Sequence, residues 1–375
     1  MKKINLKKIV TALAFIGIVT SLYAGGKKDK TDHSYLDDET KDADPCRVLY
    51  NHDEPEGDPI VLNEVWGYVM YGREDKFTND MPITDLCYFS ADVNSYGEIT
   101  DVPKASYFRN RGYEGRIHLV VTCTGRALTH LVMEPDFGVR KTLVSSIAKM
   151  SKDYDGVQID FETVPARDVE NFRTFLTDVR KAIGKDKIFS VALAARVKKI
   201  SDDIYNYEKI YPLADKIIIM AYDEHWSGSV PGSVASYDWC EKVSDYSKSV
   251  IPEEKLVMGL PFYGRTWQEG GSYGSAWVFT SISRILNENN ITHVERENGV
   301  PYFSATIPVN VTGYFEDTYS LVTRARMYNE KGIDKFAFWR VGQEDISFWQ
   351  WLKIYGEDDF LEETTSDSDP QSLEN

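Results

Sequence analysis

Short apolar runs alternate with amphipathic segments through most of this chain. Helical apolar spacing appears at 137–154, 167–184, 238–250 and 320–332, and a shorter helix is predicted around 202–214. Eight apolar runs are predicted strands, at 64–72, 85–93, 116–123, 156–162, 188–195, 216–222, 255–264 and 335–339. Alternation of strands and helices at this spacing predicts parallel strands with right-handed crossovers.

Eight strand–helix units in one chain favour a closed α/β architecture, the (β/α)8 or TIM barrel, over an open doubly wound sheet. No glycine-rich phosphate loop follows the first strand, which argues against a nucleotide-binding fold. The segment 265–315 separates the seventh strand from its helix and is too long for a simple connection. We therefore expect a small α+β insertion there, within a barrel domain that covers residues 61–355.

The two ends of the chain differ in composition from the predicted barrel. Residues 1–24 carry four lysines and then an apolar run, the order of a secretory signal peptide, although an uncleaved membrane anchor is the alternative. Residues 25–60 read as a polar leader, and the acidic residues 356–375 as a disordered tail. We expect a secreted or periplasmic protein with no membrane insertion after signal cleavage.

Charge and cysteine usage exclude several classes of partner. The 375 residues include 43 Lys and Arg against 59 Asp and Glu, a net charge of −16 that removal of the four signal lysines moves to about −20. Such acidity repels nucleic acid and anionic membranes. Because the four cysteines lie far apart and no histidine pair accompanies them, we expect no metal and no cofactor. A disulfide stays possible. The sequence has no heptad or repeat that would suggest oligomerisation, so we expect a monomer.

The stretch "YDGVQIDFE" (154–162) is unusually polar for a buried strand. Side chains alternate between the two faces of a strand, so the apolar residues of this stretch face the helix layer. Gln158, Asp160 and Glu162 face the barrel interior and follow one another toward its mouth, which lies at the carboxyl ends of the strands. Burial of two carboxylates without a nearby cation is costly and has no evident structural reason. The alternative is a solvated edge strand with polar alternation.

Asp160 and Glu162 are candidates for acid catalysis. Same-face neighbours on a strand lie about 6–7 Å apart at Cα, close enough for the two side chains to share a proton. Glu162, nearer the mouth, could then stay protonated near neutral pH and act as a general acid. The natural target of such an acid is a glycosidic bond.

The sequence resembles glycoside hydrolase family 18, the chitinase-like family. "DGVQIDFE" is similar to the family signature D-x-x-D-x-D-x-E, "MAYDEHWSGSVPG" (220–232) to its M-x-Y-D motif, and "MGLPFYGRTW" (258–267) to its seventh strand. "FAFWRVGQED" (336–345) is similar to the last strand with its tryptophan. The residues of these motifs are most similar to those of one branch of the family, the bacterial cell-wall and spore-cortex lytic N-acetylglucosaminidases.

The resemblance implies a role for each matching residue. Glu162 would be the general acid, and Asp160 would orient the substrate's 2-acetamido group. That group, rather than an enzyme carboxylate, would attack the sugar and give net retention. Tyr222 and Asp223 would hold the acetamido group, and Trp339 would form the floor beneath the sugar. Tyr222 and Trp339 could instead be structural, as could Asp155 at the start of the signature.

Gln158 departs from the family pattern, which commonly has an aspartate here. An amide cannot take up a proton, but it can donate a hydrogen bond to Asp160, so we expect Gln158 to hold that carboxylate. We count Gln158 among the substrate-binding residues. Several aromatics near strand ends could stack on sugars or be structural; we include Trp226 and Tyr263 among the substrate-binding residues, and Trp267, Tyr273 and Trp277 are weaker candidates.

The sequence therefore predicts a secreted glycosidase that cleaves β-linkages after N-acetylhexosamine residues in peptidoglycan or chitin-type glycans. A catalytically inactive, lectin-like protein on the same barrel is the alternative, disfavoured because Glu162 is present. An enzyme for phosphorylated metabolites is disfavoured by the signal peptide and the missing phosphate loop. The glycan and the exo or endo mode stay open.

Overall fold

The computed structural model describes residues 54–307 and 309–355. The predicted signal peptide, almost all of the leader, Cys46 and the acidic tail lie outside these residues. No helix within the described part of the chain has the length and apolar content that a bilayer crossing requires. Cys87, Cys123 and Cys240 are free and buried.

Strands and helices alternate along the chain as the apolar pattern predicts. The strands are β1 (Ile60–Leu62), β2 (Glu64–Met70), β3 (Asp85–Val93), β4 (Ile99–Thr100), β5 (Arg116–Thr122), β6 (Gly156–Asp160), β7 (Ile188–Ala194), β8 (Lys216–Met220), β9 (Leu256–Pro261), β10 (Tyr263–Gln268), β11 (Ser275–Val278), β12 (Glu295–Glu297), β13 (Val300–Ile307), β14 (Val309–Tyr314), β15 (Lys335–Trp339) and β16 (Leu352–Ile354). The α-helices are α1 (Ser106–Arg109), α2 (Arg126–Met133), α3 (Val139–Met150), α4 (Val169–Ile183), α5 (Tyr207–Ile210), α6 (Tyr237–Val250), α7 (Phe279–Glu288) and α8 (Thr318–Glu330). Short 3-10 helices span Glu74–Lys76, Pro135–Phe137, Ser151–Asp153, Ala166–Asp168, Tyr211–Leu213, Glu253–Lys255 and Ile346–Trp351.

Eight parallel strands close into a barrel, which confirms the predicted fold. Their order is β2-β15-β9-β8-β7-β6-β5-β3, and a further pairing of β2 with β3 closes the ring. Two predicted strands differ in extent. β6 ends at Asp160, so Glu162 lies just beyond it, and the seventh apolar run divides at Phe262 into β9 and β10.

The two faces of each barrel strand pack into two different hydrophobic cores. Val157, Ile159 and Phe161 belong to the large core between the barrel and its helices, where Phe161 stacks on Phe175 of α4 with ring centroids 5.4 Å apart. A separate interior cluster contains inward-facing residues of several strands, among them Trp66 and Tyr68. The alternation predicted for β6 is therefore the one that the structure has.

A second sheet follows the seventh barrel strand. β10 to β14 form five antiparallel strands in the order β11-β10-β14-β13-β12, and α7 packs on one face. This unit has its own core, which includes Phe279, Ile282 and Leu286 of α7 and Phe303 of β13. It lies between β9 and α8, where the sequence predicted an α+β insertion.

The predicted helix around 202–214 is shorter than expected. It consists of α5 followed by the 3-10 helix Tyr211–Leu213. The sequence analysis also missed α2, whose eight residues contribute Thr129, Val132 and Met133 to the buried surface.

Candidate active site

Strand β6 carries a line of polar side chains from the barrel interior to its mouth. All five residues of the strand are buried, with Gln158 0% and Asp160 6% exposed. The Glu162 side chain lies two residues beyond the last strand residue and is exposed to solvent in the mouth. The three residues thus lie in the order that the strand period predicted.

Gln158 does not hold Asp160, and this part of the prediction was wrong. Its Oε1 accepts a hydrogen bond from the Tyr68 hydroxyl at 2.6 Å. Its Nε2 donates to Ser190 Oγ at 3.2 Å and lies 3.8 Å from Cys87 Sγ. These partners come from β2, β7 and β3, so the amide is bound to the barrel interior rather than to the carboxylate above it. The fully buried Gln158 is therefore out of reach of a substrate in the mouth, contrary to its predicted binding role.

Asp160 and Glu162 form an electrostatically linked pair. Burial raises the pKa of Asp160 well above its usual range, and the neighbouring charge of Glu162 raises it further. Partial desolvation within the mouth and the charge of Asp223 raise the pKa of Glu162. Asp160 Oδ1 is buried with no hydrogen-bond partner among the described residues, which also favours the protonated form. This pair can retain one proton at a pH where ordinary carboxyls have lost theirs.

Tyr222 reaches the same carboxylates from the end of β8. Burial raises the pKa of its hydroxyl, and the charges of Asp160, Glu162 and Asp223 raise it further, so the group remains a hydrogen-bond donor. Gly259 of β9 leaves room for the ring, because a Cβ there would lie 3.1 Å from Tyr222 Cε1.

Asp223 is fixed by two residues of β10. The residue has the left-handed backbone angle φ +59°. Its Oδ1 accepts a hydrogen bond from the Tyr263 hydroxyl at 2.6 Å, and it lies 2.9 Å from a terminal guanidinium nitrogen of Arg265 and 3.2 Å from Nε. Tyr263 therefore positions Asp223, and its predicted contact with substrate stays a prediction. Sequence analysis missed Arg265, although strand alternation places it on the same face as Tyr263.

Trp339 ends β15 at the mouth of the barrel. Its ring packs against Tyr68 and Phe89, with centroid distances of 5.4 and 4.5 Å, and remains partly exposed. A partly exposed indole in this position can contact a ligand in the mouth, which fits the predicted floor beneath a sugar.

The other candidate aromatics divide into exposed and structural residues. Trp226 is 43% exposed and Tyr273 is 48% exposed, and their loops are joined by a hydrogen bond from the Gly274 amide to the Ser227 carbonyl at 2.7 Å. In contrast, Trp267 is buried in the insertion, and the Trp277 indole donates to Thr266 Oγ1 at 2.7 Å. The structure therefore favours a packing role for Trp267 and Trp277.

Asp155, at the start of the signature, has a structural role. Its Oδ2 accepts a hydrogen bond from the Ile117 amide at 2.8 Å and is ion-paired with Arg109. These contacts fix the start of β6 against β5, at the opposite end of the barrel from Glu162.

A possible metal-ligand group lies outside the line of β6. His130 and Glu134, at the end of α2, and Asp168 have ligand atoms within 4.8 Å of one another. His130 Nδ1 already lies 2.9 Å from Asp168 Oδ2, and the Asn171 amide donates to both carboxylates. Hydrogen bonds thus account for this group without an ion.

Comparison with known proteins identifies a family that shares these motifs. The profile of glycosyl hydrolases family 18 matches residues 132–344, which include β6, the β8 loop and β15. The chain is 23% identical over 297 residues to the cortical fragment-lytic enzyme of Bacillus anthracis, covering 72% of this chain and 67% of that protein.

Solved structures resemble the chain in fold. The spore cortex-lytic enzyme SleL of Bacillus cereus aligns with a TM-score of 0.71 and 20% identity, covering 80% of this chain and 76% of that one. A mutant class V chitinase from Nicotiana tobaccum, solved in complex with NAG4, aligns with a TM-score of 0.62 and 18% identity, covering 77% of this chain and 97% of that one.

Proposed function

Because the chain belongs to glycosyl hydrolase family 18, we propose that it cleaves β-glycosidic bonds that follow an N-acetylhexosamine residue, with the substrate's own acetamido group as nucleophile. The observation that carries this proposal is the pair of linked carboxylates: Glu162 is exposed in the mouth, and the buried Asp160 lies directly beneath it. An exposed acid can reach a glycosidic oxygen, whereas a buried carboxylate beneath it can meet the acetamido group.

In the first step, Glu162 gives its proton to the glycosidic oxygen as the bond from that oxygen to C1 breaks. The acetamido carbonyl oxygen forms a new bond to C1 and yields an oxazolinium ion. Asp160, as a carboxylate, accepts the acetamido N–H and offsets the positive charge that develops there. The raised pKa of Glu162 lets it keep its proton to a higher pH than an ordinary carboxyl does.

In the second step, the Glu162 carboxylate takes a proton from water, and the water oxygen attacks C1. The bond between C1 and the acetamido oxygen breaks, so the anomeric configuration is retained and Glu162 is protonated again. Tyr222 and Asp223 hold the acetamido group during both steps. Trp339 supports the sugar from below, and Trp226 extends the apolar surface from the β8 loop.

Family 18 enzymes act on N-acetylglucosamine glycans. The Bacillus relatives are named for lysis of cortical fragments and of spore cortex. We extend that substrate class to this chain and place peptidoglycan-type glycans before chitin. The proposed site of action is outside the cytoplasm, and the proposed working form is a monomer.

The test is an assay for new reducing ends with peptidoglycan, chitin oligomers and N-glycans as separate substrates. We expect the wild-type protein to release reducing ends from at least one of them, peptidoglycan foremost. Glu162→Gln should lower the rate by about 10²–10⁴-fold, the usual contribution of a general acid, without loss of sugar binding.

The lectin-like alternative predicts a different result. If wild-type protein and Glu162→Gln bind the glycans equally and neither releases reducing ends, the barrel is a carbohydrate-binding module. A wild-type protein that neither binds nor cleaves any of the three would contradict both functions.

A further inference from the structure

The amide beneath the two carboxylates is held by side chains from three different strands. Tyr68 donates to Gln158 Oε1 at 2.6 Å, and Gln158 Nε2 faces Ser190 Oγ at 3.2 Å. Burial raises the pKa of Tyr68 well above its usual range, so its hydroxyl keeps its proton. The protonated hydroxyl donates to the amide oxygen, which leaves the amide nitrogen to face Ser190.

This orientation separates Gln158 from Asp160. The two residues are same-face neighbours on β6, about 6–7 Å apart at Cα, a gap that a glutamine amide can bridge. Nevertheless Nε2 points to Ser190 and Cys87, and Asp160 Oδ1 is left buried with no partner among the described residues.

We propose that Tyr68 is a positioning residue that keeps the Gln158 amide turned away from Asp160, so that Asp160 shares its proton with Glu162 alone. The effect of this positioning on catalysis rests on the glycosidase function proposed above. The family's usual aspartate at position 158 would add a third titratable carboxyl, whereas a neutral amide bound to the barrel interior adds none.

The proton balance follows from this arrangement. One proton resides on the Asp160–Glu162 pair in the free enzyme. When substrate binds, that proton lies on Glu162, and the ionised Asp160 accepts the acetamido N–H. An amide donor aimed at Asp160 would compete for the same carboxylate and stabilise its charge before substrate arrives. Because the amide is turned away, the Asp160 carboxylate is available to accept the acetamido N–H of the substrate.

Several other titratable groups interact with Asp160 and must be kept constant in any test. They are Glu162, Tyr222, Tyr205 and Cys87. Tyr68 also packs against Trp339, with ring centroids 5.4 Å apart. Tyr68→Phe removes the hydroxyl alone and leaves this ring contact and all four groups in place.

The experiment compares Tyr68→Phe with a matched control, Tyr113→Phe, in the full chain. Tyr113 is a buried tyrosine in the connection between α1 and β5, and its hydroxyl donates to the Ile83 carbonyl at 3.1 Å. The readout is the titration of the Asp160 carboxyl carbon by NMR in the free protein, assigned by its loss in Asp160→Asn. We expect the Asp160 midpoint to fall by about one pH unit in Tyr68→Phe, the size of one hydrogen bond to a charged group. Tyr113→Phe should leave it unchanged.

Gln158→Glu supplies a second measurement. This variant keeps the shape of the glutamine and adds a buried charge, so the Asp160 midpoint should rise by about one to two pH units. An Asp160 midpoint that does not fall in Tyr68→Phe, or that falls equally in Tyr113→Phe, would overturn the proposal. Gln158→Glu checks that the Asp160 midpoint responds to the group at position 158. Because the titration needs no substrate, it decides the role of Tyr68 even if the protein cleaves none of the three glycans, a result that would contradict the function alone.

Discussion

Gly259 is the residue on which the position of Tyr222 depends. A Cβ at this position would lie 2.7 Å from the Ile219 carbonyl oxygen and 3.1 Å from Tyr222 Cε1. The carbonyl belongs to β8, so a Cβ would force the backbones of β8 and β9 apart and would crowd the aromatic ring at the same time. Absence of a side chain here is a requirement of the active site as well as of the fold.

Gly259→Ala should therefore lower both stability and activity. We expect a loss of about 1–3 kcal/mol in the free energy of unfolding, typical of an overpacked core. We also expect a fall in kcat/KM of about tenfold or more as the ring leaves the proposed acetamido site. Urea denaturation and the reducing-end assay measure the two effects.

Gly67→Ala provides the control. A Cβ at Gly67 would meet the flexible end of the Ile83 side chain at 2.5 Å, away from Tyr222. It should lower stability and leave kcat/KM of the folded protein near the wild-type value. Equal losses of activity in both variants would show that Gly259 has no particular role in positioning Tyr222.

Sequence analysis located the residues of the site better than their contacts. Period-2 alternation placed Gln158, Asp160 and Glu162, because strand geometry is local. It gave the wrong partner for Gln158 because that amide's contacts come from β2, β3 and β7, which only the closed barrel brings together. Tyr68 and Arg265 were missed as members of the site for the same reason.

At the scale of elements, β10 connects the insertion to the β8 loop. Arg265 and Tyr263 of this strand both bind Asp223, and the Gly274 amide binds the Ser227 carbonyl nearer the tip of the same loop. The insertion therefore supports a loop that carries two predicted substrate contacts. Its strands could be anticipated only as an α+β segment, because the apolar run at 255–264 gives no sign of the division at Phe262.

Arg265→Gln should loosen this connection. Arg265 is buried and Asp223 is partly exposed, so we expect a loss of about 1.5–3 kcal/mol, the range for hydrogen bonds to charged groups, and a kcat/KM about 10–100-fold lower as Asp223 loses its orientation. Steady-state kinetics and thermal denaturation test this.

Arg284→Gln is the matched control in the same insertion. Arg284 forms an exposed ion pair with Glu288, 3.9 Å away on α7, and exposed pairs of this kind contribute little. Loss of this ion pair should leave both kcat/KM and Tm unchanged. An Arg265→Gln protein with wild-type kinetics would show that Tyr263 alone suffices to hold Asp223.

At the scale of the whole molecule, several buried carboxyls oppose ionisation. Burial raises the pKa of Glu316 to about 7, although its ion pair with Arg324 and a hydrogen bond from Ser320 act in the other direction. Arg324 also donates to the Ala235 carbonyl at 2.9 Å, at the base of the β8 loop. Burial likewise raises the pKa of Glu344.

These shifts predict that the protein is more stable in mild acid than in mild base. A carboxyl whose pKa is higher in the folded state binds its proton more tightly there, so its stabilising effect is complete below the unfolded pKa of about 4.3 and is lost as the pH rises through about 7. We expect the Tm to fall between pH 5.5 and pH 8. Reduced self-repulsion in acid adds to this trend, because the net charge is −16 at pH 7.

Glu316→Gln isolates the contribution of one group. The variant should be less stable overall, because Arg324 loses its partner, yet its Tm should depend less steeply on pH between 5.5 and 8. Calorimetry at a series of pH values measures the slope. An unchanged slope would mean that Glu316 is ionised throughout this range.

A short ladder joins β1, ahead of the first barrel strand, to β16, beyond the last one. The two strands pair in parallel from Ile60 to Leu62, and the Tyr355 amide donates to the Leu62 carbonyl at 2.9 Å. Both strands lie at the amino-terminal end of the barrel, opposite Asp160 and Trp339. A fluorophore, a bead or a fusion partner attached at Tyr355 would therefore leave the catalytic opening facing away from the support, and the immobilised enzyme should accept long glycan strands as readily as the free protein does.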